Sequence, residues 1–218
     1  NNIVYQPAGI TENRYKTKGT LAEWRQYIAD MAVGNPVMVG SICTAFAGPL
    51  LERCNAESGG IHLSGPSSIG KSSAYAASIS VYGGESFGNS WRATDNGLEA
   101  IAELHNDSLL ALDEISECDP KAISKIVYSI GNGQGKARAG RSGGTRPTLT
   151  WRTSVLSNGE KNIEDAMLEG GIQAKAGQLM RFLDVPVARA HGCWDNLHSY
   201  TTGADFSNAI KDAAKLYH

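Results

Sequence analysis

The residues with the clearest chemical signature form a glycine-rich run that ends in a lysine and a serine. Gly65 to Ser72 fits the pattern G-x-x-x-x-G-K-[ST] at every position, follows the apolar run Ile61 to Leu63, and precedes a helical stretch. Glycines let the backbone curl so that successive N–H groups point inward, and the start of a helix adds positive potential. The pattern predicts a loop that binds the phosphates of ATP. Its predicted members are Gly65, Pro66, Ser67, Ser68, Ile69, Gly70, Lys71, Ser72 and the neighbouring Ser73.

Two of these residues are expected to act on the nucleotide directly. The Lys71 ammonium is predicted to bridge the β- and γ-phosphates, and the Ser72 hydroxyl to take one coordination position of Mg²⁺. A second metal contact is predicted in an apolar run, Leu109 to Leu112, that ends in Asp113 and Glu114. We expect Asp113 to hold the Mg²⁺ shell and Glu114 to polarise the water that attacks the γ-phosphate. Taken alone, this run has an ordinary strand end as its alternative interpretation.

Two later residues are candidates to complete a hydrolytic site. Asn158 ends a further apolar run, and its amide is predicted to orient the lytic water. Because Asn-Gly is a frequent turn pair, a simple turn before Gly159 is the alternative. Arg181 stands just ahead of the last apolar run of the core. We interpret it as a finger that reaches the γ-phosphate of a neighbouring subunit, and a surface arginine paired with Asp184 or another acid is the simpler alternative.

A basic interval without any acidic residue lies between Asp119 and Glu160. In a chain whose net charge is −2, this local bias favours an anionic partner. The glycines of segment 131–149 suit a projecting hairpin that contacts DNA phosphates without reading base sequence. The alternatives are a solvated loop or a loop that holds the nucleotide of an adjacent subunit. The predicted DNA-binding residues are Lys136, Arg138, Arg141 and Arg146.

The elements that must position these residues follow from the hydrophobic pattern. Beyond residue 59, short apolar runs alternate with helical stretches, which predicts βα units and a mainly parallel sheet with helices on both faces. A length of 218 residues with 41% hydrophobic content suits one medium-sized domain. We therefore expect an α/β, three-layer P-loop NTPase fold. The phosphate loop and the acidic run should meet at the carboxyl edge of its sheet.

The first part of the chain carries helix signals of its own. Thr20 with Glu23 three positions later predicts a capped helix, and a second helix is expected from Pro36 with an interruption at Pro49. The predicted segments are a linker at 1–19, a helical N-terminal segment at 20–58, the ATPase core at 59–190 with the inserted basic hairpin at 131–149, and the start of a C-terminal lid or tail at 191–218.

Several classes of protein are disfavoured by composition. The sequence has neither a cationic leader before an apolar run nor an apolar stretch of membrane-spanning length, so secretion and membrane insertion are not predicted. The four cysteines lie far apart, which argues against a zinc pattern or a disulfide framework and favours reduced thiols in a cytoplasmic protein. His191 and Cys193 alternate, but two ligands without a second pair are weak evidence for a metal. The start at Asn1 suggests a piece of a longer chain.

The order of these motifs resembles the additional-strand, catalytic-glutamate branch of P-loop ATPases, and within it the AAA+ helicases of phages and mobile elements. The segments WRATDNGLEAIAELHNDSLLALDEI, GNGQGKARAGR, SNGE and GQLMRFLDVP are similar to the domain-of-unknown-function family number 927, whose members often follow a primase-like region. The resemblance implies a basic hairpin that lines a central DNA channel, Arg181 in the place of the family's finger, and a hexamer. No second-sensor arginine is evident after Arg189, where only Lys211 and Lys215 follow as cations.

These observations predict an ATP-driven helicase or translocase motor that uses ATP and Mg²⁺ and acts as a homo-oligomeric ring on single-stranded or forked DNA. A switch or loader ATPase of replication, which would hydrolyse slowly and ignore DNA, is the alternative. A small-molecule kinase shares the phosphate loop but has less need for Glu114 beside Asp113. For the motor, Lys71, Asp113 and Asn158 should converge at one sheet edge, with Arg181 too far away to reach the same nucleotide.

Overall fold

The computed structural model describes residues 13–137, 147–174, 177 and 180–218. Within these residues, one sheet of parallel strands has the order β2-β3-β4-β1-β5. The strand β4 lies between β1, which precedes the phosphate loop, and β3, which carries the acidic run, and this arrangement confirms the additional-strand P-loop NTPase fold. The strands are β1 (Gly59–Ser64), β2 (Asn89–Ser90), β3 (Ser108–Asp113), β4 (Thr153–Gly159) and β5 (Phe182–Pro186).

Helices cover both faces of this sheet. The predicted cap at Thr20 is present, since its hydroxyl accepts from the Glu23 N–H while the Glu23 carboxylate accepts from the Thr20 N–H. The predicted interruption at Pro49 is also present, because a 3₁₀ turn at Gly48–Leu50 follows the second helix. The α-helices are α1 (Leu21–Trp24), α2 (Pro36–Ala47), α3 (Lys71–Ile79), α4 (Asp95–Leu104), α5 (Pro120–Asn132), α6 (Ile163–Glu169) and α7 (Gly203–Leu216). A π turn (Arg25–Ala29) and a 3₁₀ turn (Asp30–Ala32) extend α1.

The core consists of two apolar layers, one on each face of the sheet. Along β3, Leu109 and Ala111 point into a layer shared with α2, α3 and α7, while Leu110 and Leu112 point into a layer shared with α4 and α5. This period of two is what a strand buried on both faces requires. The central strands are therefore held rigidly, and so are the polar residues at their ends.

Both chain ends of the described region pack against the rest of the fold. Residues 16–18 were expected to belong to a linker, yet Lys18 and His218 exchange backbone hydrogen bonds at 2.6 and 2.9 Å. The predicted lid or tail contains α7, which begins with Thr202 as its cap and packs on α3. These contacts join residues distant in sequence, which local patterns do not report. No helix in the described part of the chain is long and apolar enough to cross a membrane.

The segment predicted as a basic hairpin has an antiparallel base. After α5 ends, Gly133 adopts a left-handed conformation with a φ of 67°. The backbone then pairs across the two flanks, with Gly135 N donating to Leu149 O and Trp151 N to Gly133 O, both at 2.9 Å. The first two residues of segment 131–149 belong to α5 rather than to a loop. Residues 138–146 lie outside the described part of the chain.

Candidate active site

The carboxyl ends of three neighbouring strands bring the predicted catalytic residues other than Arg181 together. The register pairs Leu63 of β1 with Asn158 of β4, and Leu112 of β3 with Ser157 of β4. Asp113 ends β3 and the phosphate loop leaves β1 after Ser64, so both reach the same edge of the sheet. In open α/β sheets this edge is where ligands bind.

The phosphate loop curls between β1 and α3 and is braced from outside. Gly70 has a φ of 101°, and a Cβ at this position would lie 2.9 Å from the Trp194 ring, so only glycine fits there. Cys193 N donates to Ile69 O at 2.7 Å, which pins the loop to the chain that follows β5. Trp194 in turn donates from its indole to Ser207 of α7 at 2.8 Å. The C-terminal region therefore holds the loop in its curled shape.

Lys71 is the first residue of α3 and is almost fully buried, with 6% of its surface exposed. Its ammonium donates to the carbonyl oxygens of Gly65 and Pro66, each at 2.6 Å. These contacts hold the charge inside the loop, with loop carbonyls in the role that phosphate oxygens would take. A buried ammonium bonded only to neutral carbonyl oxygens is suited to exchange them for a polyanion.

Asn158 links the Asp113 carboxylate to the backbone of Glu114. The Asn158 amide donates to Asp113 Oδ1 at 2.6 Å, and its oxygen accepts from the Glu114 N–H at 3.1 Å. Glu114 has a φ of 55°, and its carboxylate accepts from the Ser116 hydroxyl at 2.6 Å. A left-handed backbone at a side chain of this size costs about 1–2 kcal/mol, and such strain clusters at functional sites. The amide is thus a built part of the acidic centre and not an isolated turn residue.

The residues present fit a magnesium ion. Ser72 and Asp113 line the same cleft of about 520 Å³ between α3 and α7, which Lys211 and Lys215 also line. Mg²⁺ prefers oxygen ligands and usually keeps several waters, so one hydroxyl and one carboxylate beside bound phosphates suffice. No group of three or more metal-binding side chains occurs in the part of the chain that the structure describes, and its cysteines are free thiols.

A buried histidine network lies beneath the site and was not indicated by any motif. His62 Nε2 must donate to the Lys161 carbonyl at 2.8 Å, because a carbonyl only accepts. Its Nδ1 then accepts from the Ser157 hydroxyl at 2.8 Å, and Ser157 Oγ accepts from the Trp91 indole at 2.9 Å. Burial lowers the pKa of His62 to about 4, so the ring is neutral. The only sequence signal was a histidine inside the apolar run of β1.

Arg181 lies at the opposite edge of the sheet. It precedes β5, whose five residues separate it by about 16 Å from the carboxyl edge. Its guanidinium lies 3.6 Å from the Glu57 carboxylate, and its side chain packs over Gly131, where a Cβ would meet Arg181 Cδ at 2.5 Å. The structure therefore does not bring Arg181 to the site formed by Lys71 and Asp113 of its own chain.

Of the predicted DNA-binding residues, only Lys136 belongs to the described part of the chain. Its ammonium forms an ion pair with Asp95, and this contact holds the pKa of Asp95 below its ordinary value. The Lys136 N–H also donates to the buried Glu99 carboxylate at 3.4 Å. Arg138, Arg141 and Arg146 fall outside the described residues, so their role stays a prediction.

Comparison with solved structures supports the fold. The chain is similar to "SCCmec type IV Cch - active helicase", with a TM-score of 0.68 and 24% identity over 94% of this chain and 36% of that chain. It thus spans about a third of that helicase. Two further structures are less similar. NtrX from Brucella abortus in complex with ADP has a TM-score of 0.42 and 18% identity over 81% of this chain and 38% of that chain. A RuvB mutant from Thermotoga maritima has a TM-score of 0.36 and 13% identity over 75% of this chain and 46% of that chain.

The family comparison agrees with the sequence resemblance. No curated protein matches the chain. A family model described as "Domain of unknown function (DUF927)" matches residues 1–150, which include the phosphate loop and the acidic run. The chain therefore belongs to the DUF927 family of domains of unknown function.

Proposed function

We propose that this chain is the ATP-hydrolysing motor domain of a DNA helicase or translocase that works as a homo-oligomeric ring on single-stranded DNA. One observation carries the proposal: Asn158 bonds to both residues of the acidic run at the same sheet edge as the phosphate loop. A domain that only stores nucleotide has no need for an amide and a second carboxylate at this place.

Each residue of the site has a distinct task in this proposal. Lys71 and the loop N–H groups bind the β- and γ-phosphates, and Ser72 with Asp113 holds Mg²⁺. When bound, Mg²⁺ neutralises charge that develops on the phosphate oxygens. Glu114 accepts a proton from the attacking water, and Asn158 holds that water and the Asp113 carboxylate in place. Glu114 must first exchange its Ser116 partner for the water.

Two rigid elements connect this site to the basic segment. The helix α5 begins shortly after Glu114 and ends at the base of segment 131–149, and β4 runs from the same base to Asn158. At standard rise per residue these elements span about 20 Å. A change at the γ-phosphate that shifts Glu114 and Asn158 would therefore move the segment as a unit. This connection supports coupling between hydrolysis and movement along a strand.

The position of Arg181 supports a ring. An arginine at the amino edge can stabilise transition-state charge only at the nucleotide of another subunit. In a ring, each chain would then supply Arg181 to its neighbour and receive one in return. We include in this proposal a hexamer and, in the whole protein, an upstream primase-like region.

The second candidate function is a switch or loader ATPase without unwinding activity. The ion pair between Lys136 and Asp95 favours it, because the one described member of the predicted DNA-binding set is already neutralised. Such a protein would hydrolyse ATP slowly, and DNA would not change the rate.

The discriminating experiment measures ATP hydrolysis with and without single-stranded DNA while oligomer size is monitored by light scattering. We expect Lys71→Ala to abolish turnover and Arg138→Ala to remove only the stimulation by DNA. Arg53→Ala, which removes one exposed positive charge outside segment 131–149, serves as the matched control and should behave as the wild type. An unstimulated wild type would favour the switch, and turnover in Lys71→Ala would exclude the motor.

A further inference from the structure

We propose that an open cleft between the start of α4 and the start of α5 is a seat for the phosphate backbone of single-stranded DNA, with Arg92, Lys121 and Lys125 as its cationic contacts. The cleft has a volume of about 570 Å³, within the range that holds a small ligand. The proposal rests on the proposed function and adds to it a site outside segment 131–149.

The three carboxylates of the cleft contact groups other than its cationic side chains. The Glu117 carboxylate accepts a hydrogen bond from the Ser90 hydroxyl. Asp119 caps α5 by accepting a hydrogen bond from the backbone N–H of Lys121 at 3.1 Å. Asp95 is the partner of Lys136. None of these carboxylates forms a direct ion pair with a cation that lines the cleft, although Glu117 and Asp119 keep their negative charge because their partners are neutral donors.

The cations of the cleft are not joined to its carboxylates by direct ion pairs. Arg92, Lys121 and Lys125 are exposed, and none of their side chains forms an ion pair with any residue in the described ranges. These three cations line the cleft with three carboxylates, and Lys125 also acts on Asp95 through space. Lys136, the partner of Asp95, adds a fourth positive charge at the rim, so the cations outnumber the carboxylates by one. The surface between them includes two alanines and one threonine, so it offers no apolar pocket for a base. This composition favours contact with phosphates over recognition of sequence.

The cleft continues from the basic segment. Lys136 follows the antiparallel base of that segment, and its ion pair with Asp95 places it at the rim of the cleft. One strand bound at Lys136 could therefore pass directly onto the three cations. The opposite rim includes Glu117, at the end of the 3₁₀ turn that follows Glu114. A strand in the cleft would thus lie next to the turn that carries the proposed catalytic base.

Fluorescence anisotropy of a labelled oligothymidine, measured over a series of salt concentrations, tests the site. The double variant Arg92→Ala/Lys125→Ala is compared with Arg25→Ala/Arg53→Ala, which removes the same charge from exposed positions of the N-terminal helical segment. We expect the cleft variant to bind about tenfold more weakly near 0.1 M salt. Loss of two phosphate contacts should reduce the slope of log affinity against log salt by about 1.4, at about 0.7 for each contact to a single strand. The control should keep the wild-type slope.

Further variants separate the sources of the effect. Arg92→Lys/Lys125→Arg, which preserves charge, should keep the wild-type slope, and a reduced slope there would contradict a backbone site. In Lys71→Ala, whose phosphate loop is disabled, ADP should not compete with the oligonucleotide. Competition there would assign the cleft to free nucleotide phosphates and overturn the proposal. Equal affinity and slope in the cleft variant and the wild type would overturn the cleft alone, whereas a wild type without any affinity for the oligonucleotide would overturn the DNA-binding function as well.

Discussion

Replacing Asn158 by Asp tests the hydrogen-bonded centre of the candidate site. The wild-type amide donates to Asp113 Oδ1 at 2.6 Å and accepts from the Glu114 N–H at 3.1 Å. Asn158→Asp keeps the shape of the side chain and the oxygen that accepts from the Glu114 N–H. It replaces the amide nitrogen that faces Asp113 with a second carboxylate oxygen. Two carboxylates this close strongly oppose joint ionisation, so one of them should hold a proton well above its ordinary pKa.

The expected change in unfolding free energy follows from the contact between residue 158 and Asp113. The wild-type contact is a hydrogen bond to a charged group, which contributes about 1.5–3 kcal/mol. If repulsion raises one pKa by about 2 units in the folded state, ionisation of that carboxyl costs about 3 kcal/mol at pH 8. Because the folded-state pKa lies above the unfolded value near 4, this cost is absent at low pH and grows as the pH rises through the folded pKa. The variant should therefore approach wild-type stability as the pH falls.

The assay is denaturant unfolding between pH 4.5 and 8, with Asn158→Ala as the matched control. The Ala variant loses the amide without adding charge, so its deficit in unfolding free energy should not depend on pH. Mg²⁺ should restore part of the stability of Asn158→Asp, because a cation relieves the repulsion between the carboxylates. Identical pH profiles for Asn158→Asp and the wild type would refute the contact between Asn158 and Asp113 and the water-positioning role inferred from it.

Three further predictions concern the surroundings of this centre. Lys71→Ala should stay folded and release no heat when Mg-ATP is titrated in a calorimeter, and wild-type heat would contradict the phosphate-binding role. Gly70→Ala should lower the free energy of unfolding by about 1–2 kcal/mol, because an added Cβ would lie 2.9 Å from Trp194 at a φ of 101°. Its control, Gly40→Ala, has open space in α2 and should raise that free energy by up to about 1 kcal/mol. Equal melting temperatures for the two variants would contradict this reasoning. Burial lowers the pKa of His62 from 6.5 to about 4, so the unfolding free energy of the wild type should fall by up to about 3 kcal/mol as the pH falls through this window. In the same assay, the unfolding free energy of His62→Gln should depend less on pH.

Much of the candidate site was predictable because its residues lie in short segments with strict local requirements. The run Gly65 to Ser72 needs glycines at fixed places and a helix start at its end, and the acidic run needs a buried strand before Asp113. The two-residue strand β2 gave no such signal, since a run this short has no measurable period. The C-terminal helix α7 was not predicted as a helix, because its segment was assigned only as the start of a lid or tail.

Local sequence patterns do not predict contacts between residues that are far apart in the chain. His62 meets Ser157 only because β1 and β4 are neighbours, although 95 residues separate them in sequence. Lys136 was predicted to contact DNA, and its ion pair with Asp95 depends on how the base of segment 131–149 lies against α4. The grouping of Arg92 with Lys121 and Lys125 likewise depends on two helix starts that face one cleft.

The sequence by itself determined which groups are candidates for chemistry: a predicted phosphate-binding loop, two carboxylates, an amide and a basic interval, each encoded within a few consecutive residues whose backbone needs are local. Only the tertiary structure decided which of these groups touch. Strand order brought Asn158 between Asp113 and the loop, and it placed Arg181 at the far edge of the sheet. The physical reason is that strand order and helix docking are set by the burial of two apolar layers from residues far apart in the chain, and no local pattern contains that information.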